Sequence, residues 1–338
     1  MFLRLLACAA ALAIALPAAA EPVLFTQMNG YSLDSAGALR RFDALLVDED
    51  GRILDAGTES ALRARAEDAR IESMAGRTVL PGLTDAHGHL MGLGFGLMQA
   101  DLVGSSSLEE AQARVRDFAS RHPQAEWIVG SGWNQVIWNL GRFPTAAELD
   151  AAVADRPAWL ERVDGHAGWA NTAALRRAGI DRSTPDPVGG RIERDADGEP
   201  TGVLVDAAMS LVGGKIPPAD AAQSRAALQG ALQALASLGL TSVHDAGISA
   251  PDWRLYRQFA DGGRLSLRIY AMVRDTGEDF DAISADGPLL AHGNDHLTVR
   301  SVKMWADGAL GSRGAAMIEP YSDDPHNRGL LFRTPAEL

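Results

Sequence analysis

The sequence predicts an α/β protein, and three observations carry that reading. Apolar, strand-like runs end in polar, chemistry-bearing residues at 79–89, 239–247 and 297–305. Between Ser107 and His122, Leu108, Ala111, Val115 and Phe118 recur at helical spacing behind a run of serines. Composition agrees: 46% hydrophobic residues and 35 glycines among 338 suit a packed core and argue against disorder. That length allows roughly two domains, or one with additions. A formal charge of −13 argues against nucleic acid or an anionic membrane as a partner.

In chain order, residues 1–20 read as a secretory signal peptide: Arg4, an apolar run from Leu5 to Leu16, then small residues at Ala18 and Ala20. The run is too short to span a bilayer. Cleavage is expected after Ala20, giving a periplasmic or secreted protein. Cys8, the single cysteine, would leave with the peptide, so disulfides and thiolate ligands are excluded from the mature chain. From 21 to 78, Val23-Leu24-Phe25, Ala44-Leu45-Leu46-Val47 and Gly51-Arg52-Ile53-Leu54 alternate with the turn signals Asn29-Gly30 and Asp50-Gly51. That alternation predicts a small β-sandwich.

The run from Val79 to His89 ends in two histidines one residue apart. Strand side chains alternate with a period of two, so His87 and His89 point the same way. Two neighbouring imidazoles at a strand end form half of a metal site, because neutral imidazole is the commonest protein ligand for zinc and its neighbours. The whole phrase, with Pro81-Gly82 upstream and Asp85 two residues before His87, closely resembles the first-strand signature of the amidohydrolase superfamily. That family comprises metal-dependent hydrolases on a (β/α)8 barrel. The resemblance implies that residues 79–338 form the first half of such a TIM barrel, with an inserted subdomain at about 100–218, flanked by the 21–78 sandwich. A complete barrel needs roughly 250 residues besides its additions. About four barrel strands are then expected, near Leu83, Leu160 or Val203, Thr241 and Val299. The chain is accordingly expected to be the N-terminal portion of a longer enzyme, with an open sheet edge liable to aggregate.

The insertion carries Trp127, Trp133, Trp138, Trp159 and Trp169, five of the seven tryptophans. Core packing accounts for most of them. The alternative is an apolar aromatic wall that receives a substrate side group, with Trp133 its candidate member. The phrases Asp164-Gly165-His166-Ala167 and Gly132-Trp133-Asn134 resemble the amidohydrolase-3 branch, which includes N-substituted formamide deformylase-like enzymes.

Lys303 is one of only two lysines, with Lys215, among 31 basic residues. It lies in the apolar run Leu297–Trp305, on the face of Val299, Ser301 and Trp305 by strict alternation. Burial would lower its pKa and leave a nucleophilic amine able to take up carbon dioxide as a carbamate. The alternative is an ion pair with an acid such as Asp307. In the family the matching strand-four lysine is the carboxylated bridge between metal ions. The loop Asp307–Arg313 resembles the family phrase and makes Asp307 and Arg313 candidate substrate contacts, although Ala309 and Gly314 stand where hydroxyl residues are usual.

His166, a substrate-facing donor or a capped turn residue, His244 and Asp245 are the candidate catalytic residues. Both His244 and Asp245 sit at a strand end, where barrel enzymes collect such groups. For His244 a structural role behind the ligands is the simpler reading. His122, His292, His296 and His326 lie in polar loops and read as solvated. The resemblance implies one or two divalent metal ions, Zn2+ first, held by His87, His89 and Lys303. A metal-activated water would then hydrolyse a small-molecule amide or N-substituted formamide. The family's general base and two further histidines lie on later strands. A truncated, non-catalytic metal-binding periplasmic protein is the alternative, and a homo-oligomer is compatible with the sequence.

Overall fold

A computed structural model describes residues 21–338, apart from 309, 311–314, 323–324, 330, 335 and 338, and these divide between Gly82 and Leu83 into two units. The first unit contains β1 (Val23–Thr26), β2 (Asn29–Leu33), β3 (Leu39–Phe42), β4 (Ala44–Val47), β5 (Ile53–Gly57), helix α1 (Glu59–Arg63), β6 (Arg70–Ser73) and β7 (Thr78–Val79). They form a four-stranded sheet in the order β5-β4-β1-β6 and a three-stranded one, β3-β2-β7. Leu24, Ala44, Leu46 and Leu62 make its small core. Asp50-Gly51 turns the chain, with Gly51 at φ 79°. Asn29-Gly30, expected as a turn, instead opens β2. Its glycine serves packing: a Cβ there would fall 2.2 Å from the Phe42 ring, so the strand pair β2–β3 closes only without one.

The second unit begins with β8 (Leu83–Gly88) and helix α2 (Leu90–Gly96). Glycine-rich α2 has poor intrinsic helix propensity. It is held by packing, since a Cβ on Gly94 would meet the Ala227 carbonyl at 2.2 Å. A mixed sheet follows, built from β9 (Ala100–Asp101), β10 (Ile128–Trp133), β11 (Ala158–Arg162), β12 (Ala167–Ala170), β13 (Gly190–Arg194) and β14 (Pro200–Asp206). Its order is β13-β14-β12-β11-β10-β9. Helix α3 (Leu108–Arg121) matches the predicted one; Ser107 caps it by accepting from the Glu110 N–H, and Leu108, Ala111, Val115 and Phe118 are its buried stripe. Shorter helices α4 (Ala146–Asp150), α5 (Thr172–Ala178) and α6 (Ser210–Gly213) complete this region.

Helix α7 (Ala221–Ser237) leads back to β15 (Leu240–Ile248), α8 (Ala250–Asp261), β16 (Arg268–Arg274), α9 (Glu278–Ser284), β17 (Leu289–Ala291) and β18 (Leu297–Lys303). Strands β8, β15, β16 and β18 run parallel and adjacent in sequence order, with β17 antiparallel on the β18 edge. One face is covered: Leu228, Leu232, Val243, Tyr256, Phe259, Ile269, Val273 and Val299 pack there. Among the described residues β8 pairs with β15 alone, and Leu83 is 60% exposed.

The strands expected near Leu160 and Val203 belong to the mixed sheet, where antiparallel pairing with β12 holds them. The missing parallel strand is β16. Its buried Ile269, Ala271 and Val273 alternate with more exposed Arg268, Tyr270 and Arg274.

Candidate metal centre

The parallel strands end side by side, and regular pairing fails near those ends. One extra residue interrupts β8 against Val243–Asp245, another interrupts β15 between Ala246 and Ile248, and a third interrupts β18 after Val299. Such bulges re-aim the side chains that follow them. In-register neighbours on adjacent strands face the same way. Asp245 pairs with Gly88, so His87 beside it faces away from the side that buries Val243 and Asp245. Lys303 pairs with Arg274, one residue past buried Val273, and so also turns from the covered side. Strict alternation from Val299 would have sent Lys303 into the core. The extra residue at Arg300 reverses that expectation. Lys303 is half-buried rather than buried, and its ammonium lies 5.8 Å from the Trp305 ring centroid.

His87 and His89 are exposed, with ring centroids 5.6 Å apart and planes nearly perpendicular. The His87 N–H donates to the Asp85 carboxylate at 3.0 Å, which fixes the turn of the strand end. Space beside Gly88 is tight: a Cβ would meet the Val243 side chain at 3.1 Å and the Asp85 carboxylate at 3.3 Å, so those side chains would have to give by a few tenths of an ångström. His89 is the N-cap of α2, but its side chain makes no capping bond, so the imidazole remains free for other work.

Behind the pair sits Asp245, 3% exposed. It accepts a hydrogen bond of 2.6 Å from the Tyr256 hydroxyl. Burial pushes its carboxyl up, against the lowering effect of that donor. Burial and the adjacent carboxylate raise the Tyr256 phenol well above its ordinary value, so it keeps its proton and donates. A carboxylate enclosed in this way has no open path to a reacting atom. Asp245 is therefore corrected from candidate base to a group that supports the strand end. Tyr256 was not legible in the sequence, because no motif marks a tyrosine eleven residues on from its partner.

The other candidates scatter. His244 faces the same side as His87 but lies deeper along β15, its ring 5.0 Å from that of Tyr270. His166 is exposed in the turn between β11 and β12, where its Nδ1 lies 2.9 Å from Asp206, a residue at φ 49°. Trp133 is fully buried and donates to the Leu160 carbonyl at 2.7 Å, with the Trp138 and Trp169 rings each 6.2 Å away. It is core, not a substrate wall. Asp307 accepts from the Ala316 N–H at 2.9 Å and so organises its own loop. Arg313 lies outside the described residues. His122 and His292, expected to be solvated, are held: the first stacks on Phe118 and the second bonds Asp261 at 2.6 Å.

Two imidazoles sharing one tetrahedral zinc ion, with Zn–N of about 2.0–2.1 Å, place their ring centroids roughly 5 Å apart. The observed 5.6 Å fits that arrangement closely. Among the described residues no group of three or more His, Cys, Asp or Glu comes together to complete a metal shell. Lys303 lies at the same end and on the same face of the sheet as His87. A cavity of about 260 Å³ between α9, β17 and β18 lies among Val273, Ile283, Leu289 and Val299, on the covered side, away from these residues.

Residues 71–336 match the amidohydrolase family, and the chain belongs to it. It is 35% identical over 301 residues to YtcJ of Bacillus subtilis, covering 86% of this chain and 55% of that one. It is 34% identical over 233 residues to N-substituted formamide deformylase of Arthrobacter pascens, covering 67% of this chain and 43% of the relative. A solved structure, an uncharacterized metal-dependent hydrolase from Pyrococcus horikoshii, superimposes with a TM-score of 0.73 at 26% identity, over 93% of this chain and 60% of that one. The chain spans about half the length of the curated relatives it matches.

Proposed function

We propose that the protein is a metal-dependent hydrolase of carbon–nitrogen bonds, with His87, His89 and carboxylated Lys303 holding one or two divalent ions, zinc first among them. The single observation behind this is the register, which leaves His87 and Lys303 at one end of one parallel sheet and on its uncovered face. Three strand steps on a flat sheet would separate β8 from β18 by roughly 14 Å, so sharing an ion requires the sheet to curl as in a (β/α)8 barrel. In this reading the small N-terminal sheets are the family's sandwich, and export follows cleavage after Ala20.

A divalent ion bound there supplies Lewis acidity at the scissile carbonyl and acidifies water. The chain's own part is to present two imidazoles, to keep Lys303 turned towards the uncovered side, and to hold the strand ends in place. The substrates we assign are small amides or formamides with an apolar or aromatic N-substituent. Membership of a hydrolase family gives no support to the alternative of a purely metal-binding protein. Turnover of aromatic N-substituted formamides is expected to vanish on chelation and to return with added Zn2+. Hydrolysis indifferent to chelation, or stoichiometric metal with no turnover of any C–N substrate, would overturn the proposal.

A further inference from the structure

We propose that the carboxyl edge of the mixed sheet binds a small apolar molecule bearing an N–H group, with His166 Nε2 accepting from that donor. Amides are the members of this class we assign, a choice that rests on the function proposed above. Strands β9, β10 and β11 run parallel and end at Asp101, Trp133 and Arg162. Strand β12 pairs antiparallel with both β11 and β14, so it starts, and β14 ends, at that same edge. Open α/β sheets bind ligands beyond the carboxyl ends of their strands.

His166 is tied into this edge from two sides. Its backbone N–H donates to the Asp164 carboxylate at 3.1 Å, and its carbonyl accepts from the Asp206 N–H at 3.0 Å. Asp164 is also paired with Arg162, which leaves Asp206 as the carboxylate at the ring. A carboxylate only accepts, so Nδ1, 2.9 Å away, is the donor. In the neutral imidazole that bond sets the tautomer and leaves Nε2 an acceptor. Asp206 sits at φ 49° and ψ −123°, a conformation that suits glycine and strains other residues. Strain of this kind collects at ligand sites.

The same edge carries the apolar seat. Val103, Val136, Ile137 and Val163 are each more than half exposed. Val163 donates its N–H to the Trp133 carbonyl at 3.0 Å, and a Cβ on Gly132 would fall 2.5 Å from Val103, so these two valines flank the end of β10. A cavity of about 510 Å³ opens beside Val136, and Gln135 in its wall is held by Arg162 at 2.9 Å. Apolar surface with a few convergent polar groups is the usual make-up of a small-molecule site.

The test compares N-benzylacetamide with its N-methyl derivative, which keeps the apolar body and lacks the N–H. Binding to the whole chain is followed at about pH 8, above the ordinary imidazole range, with and without chelator. N-Benzylacetamide is expected to bind about 5–10-fold tighter and to shift the His166 Nε2 resonance. Asp206→Asn, whose amide can donate to Nδ1 and move the ring proton to Nε2, should erase that preference. His166→Phe should erase it too, while the N-methyl compound binds as before. Equal affinity for the two compounds, a preference that survives both variants, or dimerisation through this edge would each overturn the site. Binding that appears only with Zn2+ would place the compounds on the metal and overturn it as well. Binding as expected without hydrolysis of any C–N substrate would overturn only the function proposed above.

Discussion

Replacing His87 and His89 together by alanine is expected to abolish stoichiometric metal binding and the activity that depends on it. Both side chains are exposed and neither fills the core, so the fold should be affected little, within about 0.5 kcal/mol. The chemical loss is far larger. A Lewis acid at a scissile carbonyl is worth several kcal/mol of transition-state stabilisation, about 10³-fold in rate. Elemental analysis of the folded double variant checks this directly. Unchanged zinc content would mean that the pair is not the ligand set.

Trp133→Ala carries the second large effect, on stability. The ring is wholly buried between Trp138 and Trp169, and its indole N–H satisfies the Leu160 carbonyl. Truncation removes a large apolar volume and orphans that acceptor, with an expected cost of about 3–5 kcal/mol. The denaturant midpoint should fall sharply. A variant with unchanged stability but a raised KM would restore the substrate-wall reading instead.

The two histidines stand side by side at a strand end, as their spacing predicts, with ring centroids 5.6 Å apart. Helix α3 was legible because its cap and apolar stripe agree. The facing of Lys303 was not legible. Its facing depends on one extra residue at Arg300, and bulges leave no residue-type signature. Strand β16 was available in the alternation of Ile269, Ala271 and Val273, yet the apolar runs at Leu160 and Val203 competed for the same assignment. Their antiparallel pairing with β12 is a tertiary choice that local pattern does not encode. The Asn29-Gly30 turn signal failed for a similar reason, because the ring of Phe42 needed the space. Asp245 was found by its position at a strand end, and only the structure shows its enclosure beside the Tyr256 hydroxyl.

The central claim, that His87 and His89 share a metal ion with a third donor from Lys303, is tested most directly by X-ray absorption of the Zn2+-loaded protein. The account predicts a shell with two imidazoles at about 2.0–2.1 Å, completed by oxygen donors that include a carbamate. In the Lys303→Ala variant the two imidazoles should persist while an oxygen scatterer is lost. A shell without imidazole, or one identical in the Lys303→Ala variant, would contradict it.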